Sequence, residues 1–143
     1  VPILLRNLNA HDYGARAWAI RALAELKDPR GTDVLIQALQ QDIAPSVRRA
    51  AAKGLAAISG ASIDSPDRTE RCLQALIDAG EDGEWVVRYA VAYGLEFCLL
   101  HCRILGSIRD QASSTLITLA GESEEVGVVR LRAKLAVQRL KAS

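Results

Sequence analysis

The sequence is poor in aromatic residues, contains no methionine and has only three cysteines among its 143 residues. Aromatic residues make up 4% of the chain although half of it is hydrophobic, so the core must consist mainly of Ala, Leu, Val and Ile. Side chains of this size suit closely packed helices. An odd number of cysteines at low density indicates a reducing environment rather than a disulfide framework.

Charge of one sign and long apolar runs are also missing. The formal net charge is +1, with acidic and basic residues interspersed, which argues against a bulk electrostatic role on nucleic acid or a membrane surface. No apolar run reaches the roughly 18 residues that a membrane span needs, because Glu96 and Arg103 interrupt the best candidate. The start, Val1-Pro2-Ile3, has no charged region of the kind that marks export. We therefore expect one domain in a soluble, cytoplasmic protein.

The sequence does contain one motif that occurs four times. It is clearest in Pro45-Ser-Val-Arg-Arg-Ala-Ala-Ala-Lys-Gly-Leu55, where an arginine precedes small or aliphatic residues three, six and seven positions later. The anchoring arginines are Arg16, Arg48, Arg88 and Arg130, which are 32, 40 and 42 residues apart. Periods in this range are typical of solenoids built from two-helix units. The pattern predicts an all-α, right-handed α-solenoid of about four repeats, at about 1–28, 29–62, 63–106 and 107–143.

Short and long helices are predicted to alternate along the chain, because apolar residues recur with helical spacing. The predicted helices span residues 2–8, 14–26, 31–41, 45–58, 67–79, 84–103, 107–120 and 124–141. Equivalent positions of the repeats should share their surroundings, so three sets of positions are predicted to be buried. These sets are Leu26, Ile58, Cys98 and Leu140; Leu4, Leu35, Cys72 and Thr115; and Leu23, Leu55, Leu95 and Val137. Trp18, equivalent to Ala50, is also expected to lean toward the core.

A carboxylate precedes three of the four anchoring arginines by six residues. Asp42, Asp82 and Glu124 stand in this relation to Arg48, Arg88 and Arg130, whereas Asp12 lies only four residues before Arg16. A carboxylate there can accept a charge-assisted hydrogen bond and tie the turn of its repeat to the long helix. We interpret this set as a structural ladder, since ion-pair networks are common without catalysis.

The positions of Arg49 and Lys53 are one helical turn apart and face away from the predicted core. In a stacked array they should line the inner, concave face, which is the usual binding surface of solenoids. Across the repeats these positions hold Ala17, Arg49, Tyr89 and Leu131, then Arg21, Lys53, Tyr93 and Leu135, and the helix starts add Tyr13, Pro45, Trp85 and Gly127. The groove is therefore cationic, then aromatic, then aliphatic. It suits a flat, conjugated ligand with carboxylates, or equally a protein partner.

Three blocks of the chain resemble a known family. They are Tyr13-Gly-Ala-Arg-Ala-Trp-Ala-Ile-Arg-Ala-Leu23 with Asp28-Pro-Arg30, the Pro45–Leu55 motif, and Glu84-Trp-Val-Val-Arg-Tyr-Ala-Val-Ala-Tyr-Gly-Leu95. Together they resemble the HEAT-like repeats of the E/F-type phycobilin lyases, and the F subunits most of all. The resemblance implies a heterodimer with an E-type subunit. It also implies no tightly bound cofactor, and a linear tetrapyrrole as the substrate that is joined through a thioether to a cysteine of a phycobiliprotein α subunit.

The resemblance also implies roles for the groove residues. Arg21, Arg49 and Lys53 are the candidates for the two propionates of the tetrapyrrole, and the candidate ring walls are Tyr13, Trp85, Tyr89 and Tyr93. The weaker candidates for a carboxylate near the pyrrole nitrogens are Asp42 and Glu96. A family member would reside in cyanobacterial cytosol or, in an alga, in the plastid stroma. The alternative is a non-enzymatic HEAT-like adaptor that binds phycobiliproteins during assembly or turnover.

Cys98, His101 and Cys102 lie within two turns of one helix. They lack a fourth ligand and the usual spacing of a zinc site, so no metal is expected. A thiol that carries the tetrapyrrole transiently would need exposure or nearby positive charge, and only Arg103 is close in sequence. Cys98 occupies a predicted core position, and we interpret it as a small buried hydrophobe.

Overall fold

Seven α-helices follow one another in the computed structural model, which describes residues 12–28, 30–61, 65–104 and 106–143. In chain order they are α1 Tyr13–Leu26, α2 Gly31–Gln41, α3 Pro45–Ala61, α4 Pro66–Asp78, α5 Trp85–His101, α6 Ser107–Leu119 and α7 Gly127–Ala142. A 3₁₀ turn, Ala79–Glu81, separates α4 from α5, and the described residues contain no strand. The all-α prediction is confirmed. The predicted helix at 2–8, with Leu4, lies outside the described residues.

The ends of the helices follow from local chemistry. The Asp12 carboxylate caps α1 by accepting hydrogen bonds from the backbone N–H groups of Gly14, at 2.8 Å, and Ala15, at 3.4 Å. Pro45 and Pro66 each occupy the first turn of a helix, where the missing N–H costs no intrahelical bond. Lys27 ends α1 in the left-handed conformation, with φ 52°. The long helices α1, α3, α5 and α7 all start at equivalent positions of the repeats.

The helices form two stacked layers. Each long helix packs on the next long helix, and the short helices α2, α4 and α6 pack on one another at the back of the long ones. The core lies between the layers and is made of Ala, Leu, Val and Ile with two buried cysteines. This arrangement leaves one face of the long helices free for binding.

Most of the predicted core positions are buried, including Leu35, Cys72, Leu95 and Cys98. Two predictions were wrong. Leu26 is 55% exposed because α1 ends at this residue, whereas the equivalent helices continue for two or three more residues. Trp18 is 56% exposed because its position faces the preceding long helix, and α1 has none within the part of the chain that the structure describes.

The arginine ladder exists, but each carboxylate pairs with the arginine of the preceding repeat. Each guanidinium binds its carboxylate through both Nε and Nη2: Arg16 holds Asp42 at 2.9 and 3.0 Å, Arg48 holds Asp82 at 2.8 and 3.1 Å, and Arg88 holds Glu124 at 2.7 and 2.9 Å. The prediction of a bond within one repeat was therefore wrong for the side chains, and Arg16 finds its partner 26 residues ahead.

The six-residue spacing instead creates a backbone contact. Arg48 and Arg88 each donate from Nη1 to the backbone carbonyl six residues earlier, at 2.9 Å, and Arg130 does the same to Glu124. The carboxylates also accept a hydrogen bond from the backbone N–H two residues later. The bond from Arg88 holds the pKa of Glu124 below its usual value, against the effect of burial. Each rung thus joins two repeats and one turn.

Replacing Gly54 by leucine is expected to lower the free energy of unfolding by roughly 1–3 kcal/mol through overpacking. A Cβ at this position would lie 3.0 Å from the Cβ of Ala24 and 3.4 Å from the side chain of Leu35, so α1 and α2 would both have to move. Urea denaturation measures the change. Gly83→Leu is the control, since nothing lies within 4 Å of a Cβ there, and equal losses at both positions would contradict the prediction.

Candidate ligand-binding groove

One face of the stacked long helices carries the residues that were predicted to line a groove, and we call it the groove face. Arg21, Arg49, Lys53, Tyr93, Leu131 and Leu135 are exposed on it, and Tyr89 is half-buried. Ala17 departs from the prediction because its methyl group is buried. At the helix starts, Tyr13 and Trp85 are exposed. The repeat pattern therefore places most of these side chains where a ligand could reach them.

A hollow of about 550 Å³ opens on the groove face between the N-terminal turns of α3, α5 and α7. It is lined by Ser46, Arg49, Trp85, Val86, Tyr89 and Val128. This volume lies within the range of small-molecule sites. The hollow brings together three predicted site residues, one cationic and two aromatic. No described contact joins Tyr13 or Arg21 to it, so their role stays a prediction.

Sequence reasoning missed three lining residues of the hollow. Ser46, Val86 and Val128 each stand two positions before an anchoring arginine, so they are one repeated position seen in three repeats. The signal was present in the repeat, which could have predicted their shared placement. One wall of the hollow is thus formed by these equivalent residues of successive long helices.

The predicted cations of the groove face have no carboxylate partner in the described chain. None of the ion pairs among the described residues involves Arg21, Arg49 or Lys53. Partial burial, together with the positive charge of Arg49, lowers the pKa of Lys53. Two like charges one turn apart on α3 repel each other, and an anion bound between them would relieve that repulsion. This part of the groove face therefore favours a carboxylate-bearing ligand.

Tyr93 lies one turn after Tyr89 on α5 and is held from two sides. The guanidinium carbon of Arg132, on α7, is 5.8 Å from the centre of the Tyr93 ring, within the range of a cation–π interaction. The Phe97 ring lies 6.3 Å from the Tyr93 ring at 34°. His101 contacts Phe97 in turn, with ring centres 4.7 Å apart. Tyr93 therefore presents a supported ring to the groove face.

Asp42 and Glu96, the two weaker candidates for an acid near the ligand, have structural partners. Asp42 belongs to the ladder; although burial alone would raise its pKa, the bonds from Arg16 and from the backbone N–H of Ala44 keep that pKa below its usual value. Glu96 is buried, and its two oxygens accept hydrogen bonds from the guanidinium groups of α7. Both carboxylates are thus bound by arginines of other helices and do not lie open on the groove face.

Cys98 of α5 behaves as the core interpretation expected. Cys98 is fully buried, and a hydrogen bond with Cys102 together with burial raises the pKa of its thiol. A protonated, inaccessible thiol is a poor nucleophile. Among the residues that the structure describes, no three His, Cys, Asp or Glu side chains are grouped in a way that could hold a metal ion.

Comparison with known proteins decides the family. Residues 1–96 match the sequence profile of HEAT repeats. The whole chain is 49% identical to the bilin biosynthesis protein RpcF of a Synechococcus species and covers 68% of that protein. The chain belongs to the E/F-type phycobilin lyase family of HEAT-repeat proteins. The resemblance seen in the sequence is thus confirmed.

Two further proteins are similar to this chain, one in sequence and one in solved structure. The phycocyanobilin lyase subunit beta of a Nostoc species is 46% identical over 99 residues, which are 67% of this chain and 50% of that protein. A solved structure of the complex of CpcE and CpcF of phycocyanin lyase, also from Nostoc, matches with a TM-score of 0.78 and 38% identity, over 95% of this chain and 79% of the matched one. The chain thus spans 68% of the RpcF sequence and 50% of the sequence of the Nostoc lyase subunit beta.

The fold prediction of stacked two-helix repeats is confirmed by the same comparisons. Within the described ranges of this family member, no helix is both long enough and apolar enough to cross a membrane.

Proposed function

We propose that this chain is a subunit of a bilin lyase, which binds a linear tetrapyrrole on its groove face and helps attach it to a phycobiliprotein cysteine. The observation that carries the proposal is the juxtaposition, in one hollow, of the Trp85 and Tyr89 rings with Arg49, which has no carboxylate partner among the described residues. A bilin combines the same two chemistries, since it has flat conjugated rings and two propionates. Family membership and the names of the relatives support this substrate class.

The aromatic side chains offer rigid apolar surfaces for the pyrrole rings, and Arg49 with Lys53 would hold the propionates. Trp85 and Tyr89 stand one turn apart on α5, so they present one continuous surface. Val128 extends the surface across to α7. A bilin that rests on α5 with its carboxylates toward α3 satisfies both contacts. Arg21, Tyr13 and Tyr93 complete the proposed site.

The chemical step then depends on positioning. The acceptor protein supplies the thiol, which adds across an exocyclic carbon–carbon double bond of the bilin, so that a sulfur–carbon bond forms and the thiol proton ends on the neighbouring carbon. The buried Cys98 of this chain is not suited to that role. The groove residues hold the bilin in one orientation and so convert an encounter of two flexible molecules into a reaction of positioned groups.

We propose an E-type subunit as partner, because the matched solved structure is a complex of CpcE and CpcF. The groove face ends in exposed aliphatic side chains of α7, namely Val128, Leu131 and Leu135. Exposed apolar area of this kind favours contact with another protein. It also keeps open the second candidate function, a non-enzymatic adaptor that binds phycobiliproteins.

Reconstitution separates the two functions. The purified chain, with and without an E-type subunit, is mixed with free phycocyanobilin and apo-phycocyanin, and the product is separated under denaturing conditions. A covalent product that fluoresces with zinc, formed faster than in the absence of this chain, is expected for the lyase. Binding of apo-phycocyanin without any increase in covalent product would support the adaptor and overturn the lyase proposal.

A further inference from the structure

A buried ion pair between α5 and α7 occupies positions that hold alanine in the other interfaces of the long helices. Glu96 is equivalent to Ala24 and Ala56, and Arg132 is equivalent to Ala50 and Ala90, and all four alanines are buried. The α1–α3 and α3–α5 interfaces show that alanine suffices for stacking here. The charges at α5–α7 therefore serve something other than helix packing.

The geometry of the pair is well defined. Nη1 of Arg132 lies 2.7 Å from Oε1 of Glu96, and the two side chains are 13% and 7% exposed. Nη1 of Arg139 lies 3.2 Å from the other carboxylate oxygen, with its own side chain 54% exposed. Removing charges from water is costly, and a buried pair is often no more stabilising than apolar residues of similar size. What such a pair provides is a fixed position for its members.

Arg132, which the ion pair holds in place, reaches the groove face. The Arg132 guanidinium lies over the Tyr93 ring, and Phe97 supports that ring from α5 itself. Tyr93 remains 38% exposed, so one part of its ring is backed and another part is open to a ligand. An exposed tyrosine without such backing exchanges rotamers freely. Glu96 therefore acts on Tyr93 through Arg132.

We propose that Glu96 and Arg132 are positioning residues, which hold the Tyr93 ring as a rigid wall that keeps the bound bilin in one conformation. This inference rests on the proposed function and adds to it a pair that touches no substrate. A rigid wall lowers the conformational entropy lost on binding and limits the shapes that the flexible tetrapyrrole can adopt. The spectrum of the bound bilin should report this effect, because the ratio of its red to near-ultraviolet absorption rises as the tetrapyrrole extends.

The test uses Glu96→Ala/Arg132→Ala, which gives α5–α7 the alanines of the other two interfaces, together with Tyr93→Ala and the triple variant. Each is titrated with phycocyanobilin, alone and in complex with the E-type subunit. We expect the alanine pair to weaken binding about 5- to 10-fold and to change the absorption ratio. Tyr93→Ala should have a similar effect, and the triple variant should be no worse than Tyr93→Ala, because residues that act through one another are not additive.

Controls separate positioning from stability. Arg139→Ala removes the exposed partner of Glu96 but leaves Arg132 in place, and it should change neither affinity nor spectrum. Arg132→Lys keeps the cation and should restore part of the binding, which also provides a readout if the alanine pair does not fold. An alanine pair that binds like wild type, or losses that multiply in the triple variant, would overturn the inference alone. Absence of bilin binding by the wild-type complex would overturn the proposed function and the inference together.

Discussion

Replacing Arg49 and Lys53 together by alanine is expected to weaken bilin binding by roughly 10- to 100-fold while leaving the helix content unchanged. Both side chains are exposed on α3 and have no carboxylate partner in the described chain, so the fold loses no ion pair. Each bond from a cation to a propionate contributes about 1.4 kcal/mol if its loss costs tenfold in affinity. Titration with phycocyanobilin, followed by absorbance, measures the effect, and circular dichroism checks the fold.

Two controls make this test specific for carboxylate recognition. Arg103→Ala/Arg109→Ala removes the same charge from exposed positions away from the groove face, and it should bind like the wild type. The dimethyl ester of phycocyanobilin has no propionate charge, so the wild type should bind it about as weakly as the Arg49/Lys53 variant binds the free acid. If the double variant binds the free acid with unchanged affinity, Arg49 and Lys53 do not belong to the site.

Replacing Arg88 by alanine is expected to lower the free energy of unfolding by about 3–5 kcal/mol, the range found when one partner of a buried ion pair is removed. The Glu124 carboxylate is only 5% exposed and, among the described residues, would keep only the backbone N–H of Val126 as a partner. The carbonyl of Asp82 would lose its bond from Arg88 as well. For a chain of this size we expect the midpoint of thermal unfolding to fall by roughly 10–15 °C, as measured by circular dichroism.

Arg30→Ala provides a matched control for the ladder. Arg30 also binds a carboxylate through two nitrogens, at 3.1 and 2.8 Å to Asp28, but its side chain is 72% exposed. Exposed pairs contribute about 0–1 kcal/mol, so this variant should unfold close to the wild-type temperature. A similar loss for Arg30→Ala and Arg88→Ala would contradict the assignment of the ladder as the main polar support of the stack.

The pH dependence of stability tests the same rung from the side of the acid. Because the pKa of Glu124 is lowered in the folded state, its contribution is fully present above the unfolded pKa of about 4.3 and is lost as the pH falls through the folded value. The wild type should therefore lose stability below about pH 4. Arg88→Ala should lose less over the same range, since it has already lost that contribution.

The repeat made most of the fold and part of the groove predictable from the sequence. Equivalent positions share surroundings, so Leu55 and Leu95 were expected in the core and Arg49 and Tyr89 on the open face, where the structure has them. Which repeat supplies the arginine that binds each carboxylate was not predictable in this way. A carboxylate six residues before an arginine suggests a local bond, whereas the side chains pair with the preceding repeat, which only the packing of neighbouring hairpins reveals.

Features that break the repeat were the least predictable. The Glu96–Arg132 pair has alanine at the equivalent positions of the α1–α3 and α3–α5 interfaces, so the repeat did not predict it. Its only trace in the sequence is two charges at positions that should be buried. Trp18 shows the opposite error, since its equivalents are buried by a helix that α1 lacks within the described residues. A repeat pattern predicts the surroundings that all units share, whereas contacts that occur in one unit alone are seen only in the structure.

The rungs of the ladder all lie at the N-terminal ends of the long helices, and this gives the stack an uneven stiffness. Between α3 and α5, the Arg48–Asp82 rung joins the N-terminal ends, and among the described residues no ion pair joins the C-terminal ends of these two helices. When the solenoid flexes, the C-terminal ends of these helices should therefore separate more than their N-terminal ends, which the rung holds together. The hollow beside Arg49 and Trp85 lies near the rung, so it should keep its shape while the C-terminal ends move apart and return.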